Sequence, residues 1–437
     1  MTTALTTVKT SYDHAPVNRK TTLRLCTAGS VDDGKSTFVG RLLHDTKNIL
    51  ADQYDAVVAT STARGQENPD LSLLVDGLRA EREQGITIDV AYRYFATGAR
   101  SFILADCPGH EQYTRNTVTG MSTAEAVVVL VDARNGVVTQ TKRHATVAAL
   151  LGVRHVVFAV NKIDLLGYSE AAFRNIEADI RELASRLGLQ DTYVVPVSAL
   201  VGDNIVEASA NTPWYGGPTV LQLLEELDVA TDTNHDASYP LRLPIDYVIR
   251  DHDTEYRGYA GRIATGTVAV GDTVELGNGR SSTVTQLTIA GERVDLAVAG
   301  QSVAVSLADE FDLARGDLLS KGNRPQDSRR FSAVAVHLSD ASLAVGRVVE
   351  LRYGAALVRG RITSVDAIID IETGEPTVPS DALHANDVAE VTIELASALP
   401  VEDYRVGGRV GAFLLIQPGT GDTLTAGLVT GTDQNYS

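Results

Sequence analysis

Between Gly29 and Thr37 the chain reads Gly-Ser-Val-Asp-Asp-Gly-Lys-Ser-Thr, a G-x-x-x-x-G-K-S spacing that lets backbone wrap around phosphate groups. The residues carry the chemistry in a fixed division. Consecutive N–H groups from Val31 to Ser36 converge on one anion, and the helix that follows adds its positive N-terminus. Lys35 is expected to reach the β- and γ-phosphates, and Ser36 to ligate Mg²⁺. Asp32 and Asp33 are the unusual members, and in this loop the side chains between the glycines are expected to face outward. A carboxylate aimed inward at about 6 Å would be repelled by roughly 3 kcal/mol per phosphate charge at an effective dielectric near 20. Facing outward, the two acids read either as groups that orient the loop or couple it to neighbouring polypeptide, or as solvated acids that the site tolerates.

The base is chosen elsewhere. Asn161-Lys162-Ile163-Asp164 follows the apolar run Arg154–Val160. A carboxylate at Asp164 accepts hydrogen bonds from guanine N1–H and the exocyclic amine, which adenine does not offer, and an unpaired buried acid would penalise ATP. Asn161 is expected to hold the loops together, Lys162 to lay its stem across the base, and Ser198-Ala199-Leu200 to place the Ala199 amide on guanine O6. At the other end, Asp106-Cys107-Pro108-Gly109-His110 ends a second apolar run. Asp106 would reach Mg²⁺ through water, the Gly109 amide would touch the γ-phosphate, and His110 would orient the attacking water. Thr87, in Arg82–Asp89, supplies a second magnesium ligand, and Val31 with Ile86 forms an apolar gate restraining His110. Together these residues read as a GTP/GDP switch ordered by the γ-phosphate.

Such residues need strands that end in one place. "TLRLCTAG", "SFILADC", "EAVVVLVDA", "RHVVFAV" and "TYVVPVS" read as buried parallel strands. "KSTFVGRLLHD", "EQYTRNTVTGM", "TKRHATVAALLG" and "EAAFRNIEADIRELASRLG" read as crossover helices. The alternation predicts an α/β P-loop domain, doubly wound with a mostly parallel sheet and its ligand at the strands' carboxyl ends. "DLSLLVDGLRAERE" reads as an amphipathic helix, and Thr60–Asp70 as a long polar nucleotide-sensing loop. After a polar linker around Asp232, period-two alternation broken by glycine turns predicts two antiparallel β-barrels. The expected divisions are a polar tail at 1–21, the nucleotide domain at 22–232, and barrels at 233–327 and 328–437.

Bulk properties narrow the function. The 437 residues include 56 acidic against 38 basic side chains, a formal charge of −18, which argues against a general nucleic-acid partner. No apolar run suits a signal core or a membrane span, so a soluble cytoplasmic protein is expected, with no membrane partner. Cys26 and Cys107 lack metal-ligand spacing and read as buried core residues. His144 and His155 read as structural, and Trp214 as an anchor leading into the helix from Pro218.

The order of motifs, followed by two barrels, resembles the elongation factor Tu type of translational GTPase. "GSVDDGKST", "LVDGLRAEREQGITIDVAYRYF", "DCPGHEQYTRN", "QTKRH" and "YRGYAGRIATG" are more similar to one branch, the CysN family of GTP-hydrolysing large subunits of bacterial sulfate adenylyltransferase. The paired aspartates and "HEQYTRN" discriminate most, while Val118 and Met121 depart slightly from the family's pattern. The resemblance runs from about Thr22 nearly to the end and is densest in the first domain. It implies a smaller ATP- and sulfate-binding catalytic subunit of the CysD type, whose formation of adenylyl sulfate and pyrophosphate this chain would couple to GTP hydrolysis. Some relatives carry a fused adenylylsulfate kinase with a second P-loop; that activity is not expected here. The rival expectations are an elongation-factor-like carrier of aminoacyl-tRNA and a regulatory GTPase that drives no chemistry.

Overall fold

The computed structural model describes residues 20–63, 65, 69–75, 90–109, 114–189, 191–228, 239–251, 256–370, 375–404 and 410–432. The first domain is built on a six-stranded sheet in the order β2-β3-β1-β4-β5-β6. Its strands are β1 (Lys20–Gly29), β2 (Ala91–Ala96), β3 (Arg100–Asp106), β4 (Ala126–Asp132), β5 (His155–Asn161) and β6 (Asp191–Pro196). Every pairing is parallel except β2 with β3. β4 and β5 are buried at all positions, as their unbroken apolar runs require of strands covered on both faces.

The helices are α1 (Lys35–Asp45), α2 (Ala51–Ala63), α3 (Thr114–Met121), α4 (Thr139–Leu150), α5 (Glu170–Leu187) and α6 (Val220–Glu226). Alternate strand residues divide between two cores. Cys26, Val129 and Phe158 pack with α3, α4 and α5, whereas Leu25, Leu130 and Ala159 pack with α1 and α6. Local signals set the helix ends: Ser169 caps α5, Gly188 stops it at φ 66°, and Thr219 with Gln222 forms a capping box on α6. Val118 and Met121 are buried on α3.

Two expectations are corrected here. The start of Thr60–Asp70 is helical, because the alanine-rich α2 runs to Ala63. Of the helix expected from Asp70 to Glu83, the described part is a single 3-10 turn, Leu71–Leu74, whose first amides are turned by the Asp70 carboxylate. Residues 76–83 lie outside the described residues.

The following antiparallel sheet contains β7 (Leu241–Pro244), β8 (Tyr247–Asp251), β9 (Tyr256–Arg262), β11 (Thr273–Gly277), β12 (Arg280–Ile289), β13 (Glu292–Val294), β15 (Ser302–Leu307) and β16 (Leu318–Lys321). Its order is β7-β16-β11-β12-β15-β9-β8, with β13 beside β12 and the short β10 (Thr267–Ala269) and β14 (Leu296–Val298) paired with each other. It folds around one core that includes Leu243, Tyr259, Val274 and Val305, and Arg242 of β7 exchanges main-chain bonds with Ala264 and Thr265 just past β9, joining the two ends of the sheet as the expected barrel requires. Asn278 and Gly279, both at positive φ (52° and 70°), make the tight turn between β11 (Thr273–Gly277) and β12 (Arg280–Ile289). The last sheet closes as expected: β17 (Asp327–His337), β22 (Val388–Pro400), β20 (Ala356–Ile368), β19 (Val348–Tyr353), β23 (Ala412–Ile416) and β24 (Thr423–Thr432) form a barrel. The Arg242 side chain of the first β domain binds Glu402 of the second at 2.6 Å and donates to the carbonyls of Gly322 and Asn323. A Cβ on Gly316 would lie 2.9 Å from the Ala356 Cα. Tyr404 Oη in turn donates to the Leu151 carbonyl, just past α4, at 2.8 Å.

Candidate functional site

β1 delivers the chain to Gly29 at the carboxyl edge of the sheet, between β3 and β4. The loop then turns through Asp32 (φ 67°) and Gly34 (φ 90°) into α1. Gly34 occupies the N-cap, and no side chain caps the helix there, so the first amides of α1 stay available to a ligand. Lys35 is 7% exposed and donates to the Gly29 and Ser30 carbonyls, each at 2.9 Å. Burial pulls its ammonium below the ordinary lysine value, while Asp106 and Asp33 push it back up.

The structure corrects the expectation that both loop acids face outward. Asp32 is exposed, but Asp33 is 4% exposed and turns inward. Its Oδ2 accepts the Ser30 N–H at 2.6 Å. Burial raises the Asp33 carboxyl, with the Ser30 bond and the Lys35 charge opposing that rise.

β3 brings Asp106 beside the loop, fully buried, with Thr27 Oγ1 donating to its Oδ1 at 2.8 Å. The strand continues into Gly109, where an added Cβ would fall 2.2 Å from Lys35 Nζ and 2.5 Å from the Gly29 carbonyl. Only glycine lets the two phosphate-facing segments approach this closely. Cys26 and Cys107 are buried and unbridged, with Sγ atoms 3.1 Å apart. His110, Thr87 and Ile86 lie outside the described residues; Val31 is described and is 37% exposed.

At the base end, Asn161 ties three segments together. Its Nδ2 donates to the Asp33 carbonyl at 2.8 Å, and its Oδ1 accepts the Ala199 N–H at 2.9 Å. The Ala199 amide expected on guanine O6 is therefore engaged by Asn161. Lys162 adopts φ 64° and donates to the Asp32 carbonyl. It also pairs with Asp132 at 2.9 Å, so its ammonium braces the phosphate loop. Asp164 follows, with Oδ1 buried and without a hydrogen-bond partner. Ser198 is fully buried and its Oγ accepts the Val201 N–H, whereas Leu200 is exposed.

Three contributors were not read from the sequence. Asp132 ends β4 directly beside Asn161 in register. Burial pushes its carboxyl up, but bonds from Arg134 and Lys162 outweigh this and hold it well below the usual carboxylate range. Arg134 grips it with two nitrogens, the shorter contact being 2.6 Å. Arg41 of α1 donates to the Ala199 and Leu200 carbonyls. An acid closing a fully apolar strand was the available signal for Asp132; Arg41 carried none. Of the two histidines read as structural, His144 is buried in α4 and lowered to about 3, chiefly by burial and then by the Lys35 charge. His155 does have a neighbour, Asp191 at 3.2 Å.

These residues fit a guanine nucleotide with its cation. Uncapped helix amides, a buried lysine and an unfilled carboxylate oxygen converge from the ends of adjacent strands. Among the described residues no cluster of three or more His, Cys, Asp or Glu could hold a metal.

The elongation factor Tu GTP-binding domain family matches residues 20–233, and the GTP-eEF1A C-terminal domain-like family matches 330–430. Sulfate adenylyltransferase subunit 1 of Teredinibacter turnerae is 45% identical over 414 residues, covering 94% of this chain and 87% of that protein. The chain belongs to the sulfate adenylyltransferase subunit 1 family. Another member of the subunit 1 family, from Cellvibrio japonicus, is 44% identical over 416 residues with the same coverage. The bifunctional enzyme CysN/CysC of Mycobacterium tuberculosis is 46% identical over 415 residues, 94% of this chain and 67% of that one. Family membership does not favour the aminoacyl-tRNA carrier. No helix among the described residues is long and apolar enough to cross a membrane.

Proposed function

We propose that this chain is the GTP-hydrolysing subunit of a sulfate adenylyltransferase. It would couple GTP hydrolysis to the formation of adenylyl sulfate and pyrophosphate from ATP and sulfate on a smaller partner subunit of the CysD type. The observation that carries the nucleotide reading is Asp164 Oδ1, buried and unpartnered beside an Asn161 that is itself bound to the phosphate loop. A buried acceptor left open costs free energy unless a ligand fills it, and guanine presents the two adjacent donors that a carboxylate takes. The sulfate reading rests on the family.

The roles follow from the residues. Backbone amides from Val31 to Ser36, with Gly29, Gly34 and Thr37 shaping the loop, hold the phosphates. Lys35 exchanges its two carbonyl partners for β- and γ-phosphate oxygens, and the Gly109 amide takes the γ-phosphate. Ser36 and Thr87, with Asp106 through water, would hold magnesium, which would supply positive charge against the phosphate oxygens. His110 orients the attacking water, restrained by Val31 and Ile86 until the partner engages. Loss of the γ-phosphate frees the Gly109 and Thr87 segments, which is the change the partner reads. Two unbridged thiols 3.1 Å apart suit a reducing compartment, the cytoplasm.

The test mixes the purified chain with its partner subunit, ATP and sulfate, and follows adenylyl sulfate. Accumulation beyond the ATP-driven equilibrium is expected with GTP and not with a non-hydrolysable GTP analogue. Equal accumulation without GTP would remove the coupling.

A further inference from the structure

The inward turn of Asp33 leaves a question that the nucleotide site as described does not answer. A loop that collects phosphates has a carboxylate packed beneath it. Asp33 Oδ2 lies on the Ser30 N–H at 2.6 Å and 3.4 Å from where a Cβ on Gly29 would stand. At 4% exposure water does little to screen it. The Ser30 N–H holds the carboxylate itself, and the backbone beneath it is fixed by Asn161 Nδ2 on its own carbonyl and Lys162 on the one before. The charged groups that face it are Lys35, Lys162 and Asp132. Lys162 is already paired with Asp132, which leaves Lys35 as the cation that answers both Asp33 and Asp106.

We propose that Asp33 sets an upper limit on nucleotide affinity: its fixed negative charge, buried in the phosphate loop, opposes the phosphates and makes the loop one built for release. The inference rests on the guanine-nucleotide reading of the site. A neutral residue of the same shape would keep the loop fold through the Ser30 N–H bond and remove the opposing charge. In the nucleotide-free form Lys35 donates to the Gly29 and Ser30 carbonyls and no phosphate faces Asp33, whereas the loaded form sets like charges side by side. Nucleotide exchange is then in part a property of the loop itself.

The experiment measures release of a fluorescent GDP analogue from the full chain, comparing wild type with Asp33→Asn, which retains an oxygen for the Ser30 N–H. Release at least tenfold slower is expected in the variant. In competition assays the gain in affinity should shrink from GDP to GMP and vanish for guanosine, which carries no phosphate; a merely structural role would move all three together. Unchanged or faster release, or an equal gain for guanosine, would overturn the proposal. If Asp33→Asn does not fold by circular dichroism, Asp33→Ser carries the same comparison, since it also keeps an oxygen and drops the charge. A wild-type chain that takes no GDP would instead remove the nucleotide reading, and this proposal with it.

Discussion

Asp33 and Asp164 stand at opposite ends of the candidate site, and each withdraws carboxylate oxygen from water. Oδ2 of Asp33 is filled by the Ser30 N–H, whereas Oδ1 of Asp164 has no partner. The phosphate end thus uses its acid to shape the loop, while the base end keeps an acceptor open. A buried polar group satisfied from within costs little and fixes local geometry; one left open is a debt that a matching ligand relieves. Selectivity is therefore concentrated at the base end, and the phosphate end supplies strength and its limit.

The largest expected effect comes from changing the open acceptor. Asp164→Asn replaces one acceptor oxygen with a donor that faces guanine's own donors, so GTP affinity should fall at least about 100-fold. Xanthosine triphosphate, with an oxygen where guanine has its amine, should bind the variant better than the wild type, as titration calorimetry would show. Unchanged GTP selectivity would erase the contrast between the two acids.

A smaller effect should follow at the phosphate end from Gly109→Ala. The added Cβ would fall 2.2 Å from Lys35 Nζ, forcing the lysine or the Gly109 segment aside. Single-turnover GTP hydrolysis should drop about tenfold to 100-fold, with GDP binding less affected. Equal losses in both would mean that the glycine shapes the whole loop rather than its γ-phosphate edge.

The smallest effect concerns Asp132, which links the two ends through Lys162. Its carboxyl is held well below the usual range in the folded chain. Its contribution to stability is therefore present above the unfolded carboxylate value near 4 and is lost as pH falls through the lower folded value. Asp132→Asn should destabilise the chain by about 1–3 kcal/mol at neutral pH, the range of a bond to a charged group. That deficit should shrink as the pH is lowered below about 4, which denaturant melts at several pH values would reveal. A pH-independent deficit would separate Asp132 from the ionic network.

What could be read from the residue order was what lies within a few positions. The glycine spacing, the apolar runs of β4 and β5 and the Asn161–Asp164 tetrapeptide each carry their meaning locally. The cross-ties did not show, because Lys162 to Asp132 and Arg41 to Ala199 join residues that only the sheet register and the α1 packing bring together. The inward turn of Asp33 is hidden for a related reason: repulsion by phosphates argues for an outward side chain, and the competing attraction of the Ser30 N–H arises only once the loop has turned. The β-rich half was legible as alternating strands, but alternation is the same in an open sheet and a closed barrel. Only the pairing partners of the first and last strands distinguish them.

Arg242 has a consequence for how force crosses the molecule. It cannot slide along Glu402 without exposing one charge and stranding the other, and Gly316 lies too near Ala356 for any larger residue. The two β units are in this sense spliced into one beam, with the Tyr404 hydroxyl on Leu151 as its footing on the α4 side of the sheet. A tilt imposed at either tip would have to part the Arg242–Glu402 pair or carry both β units with it.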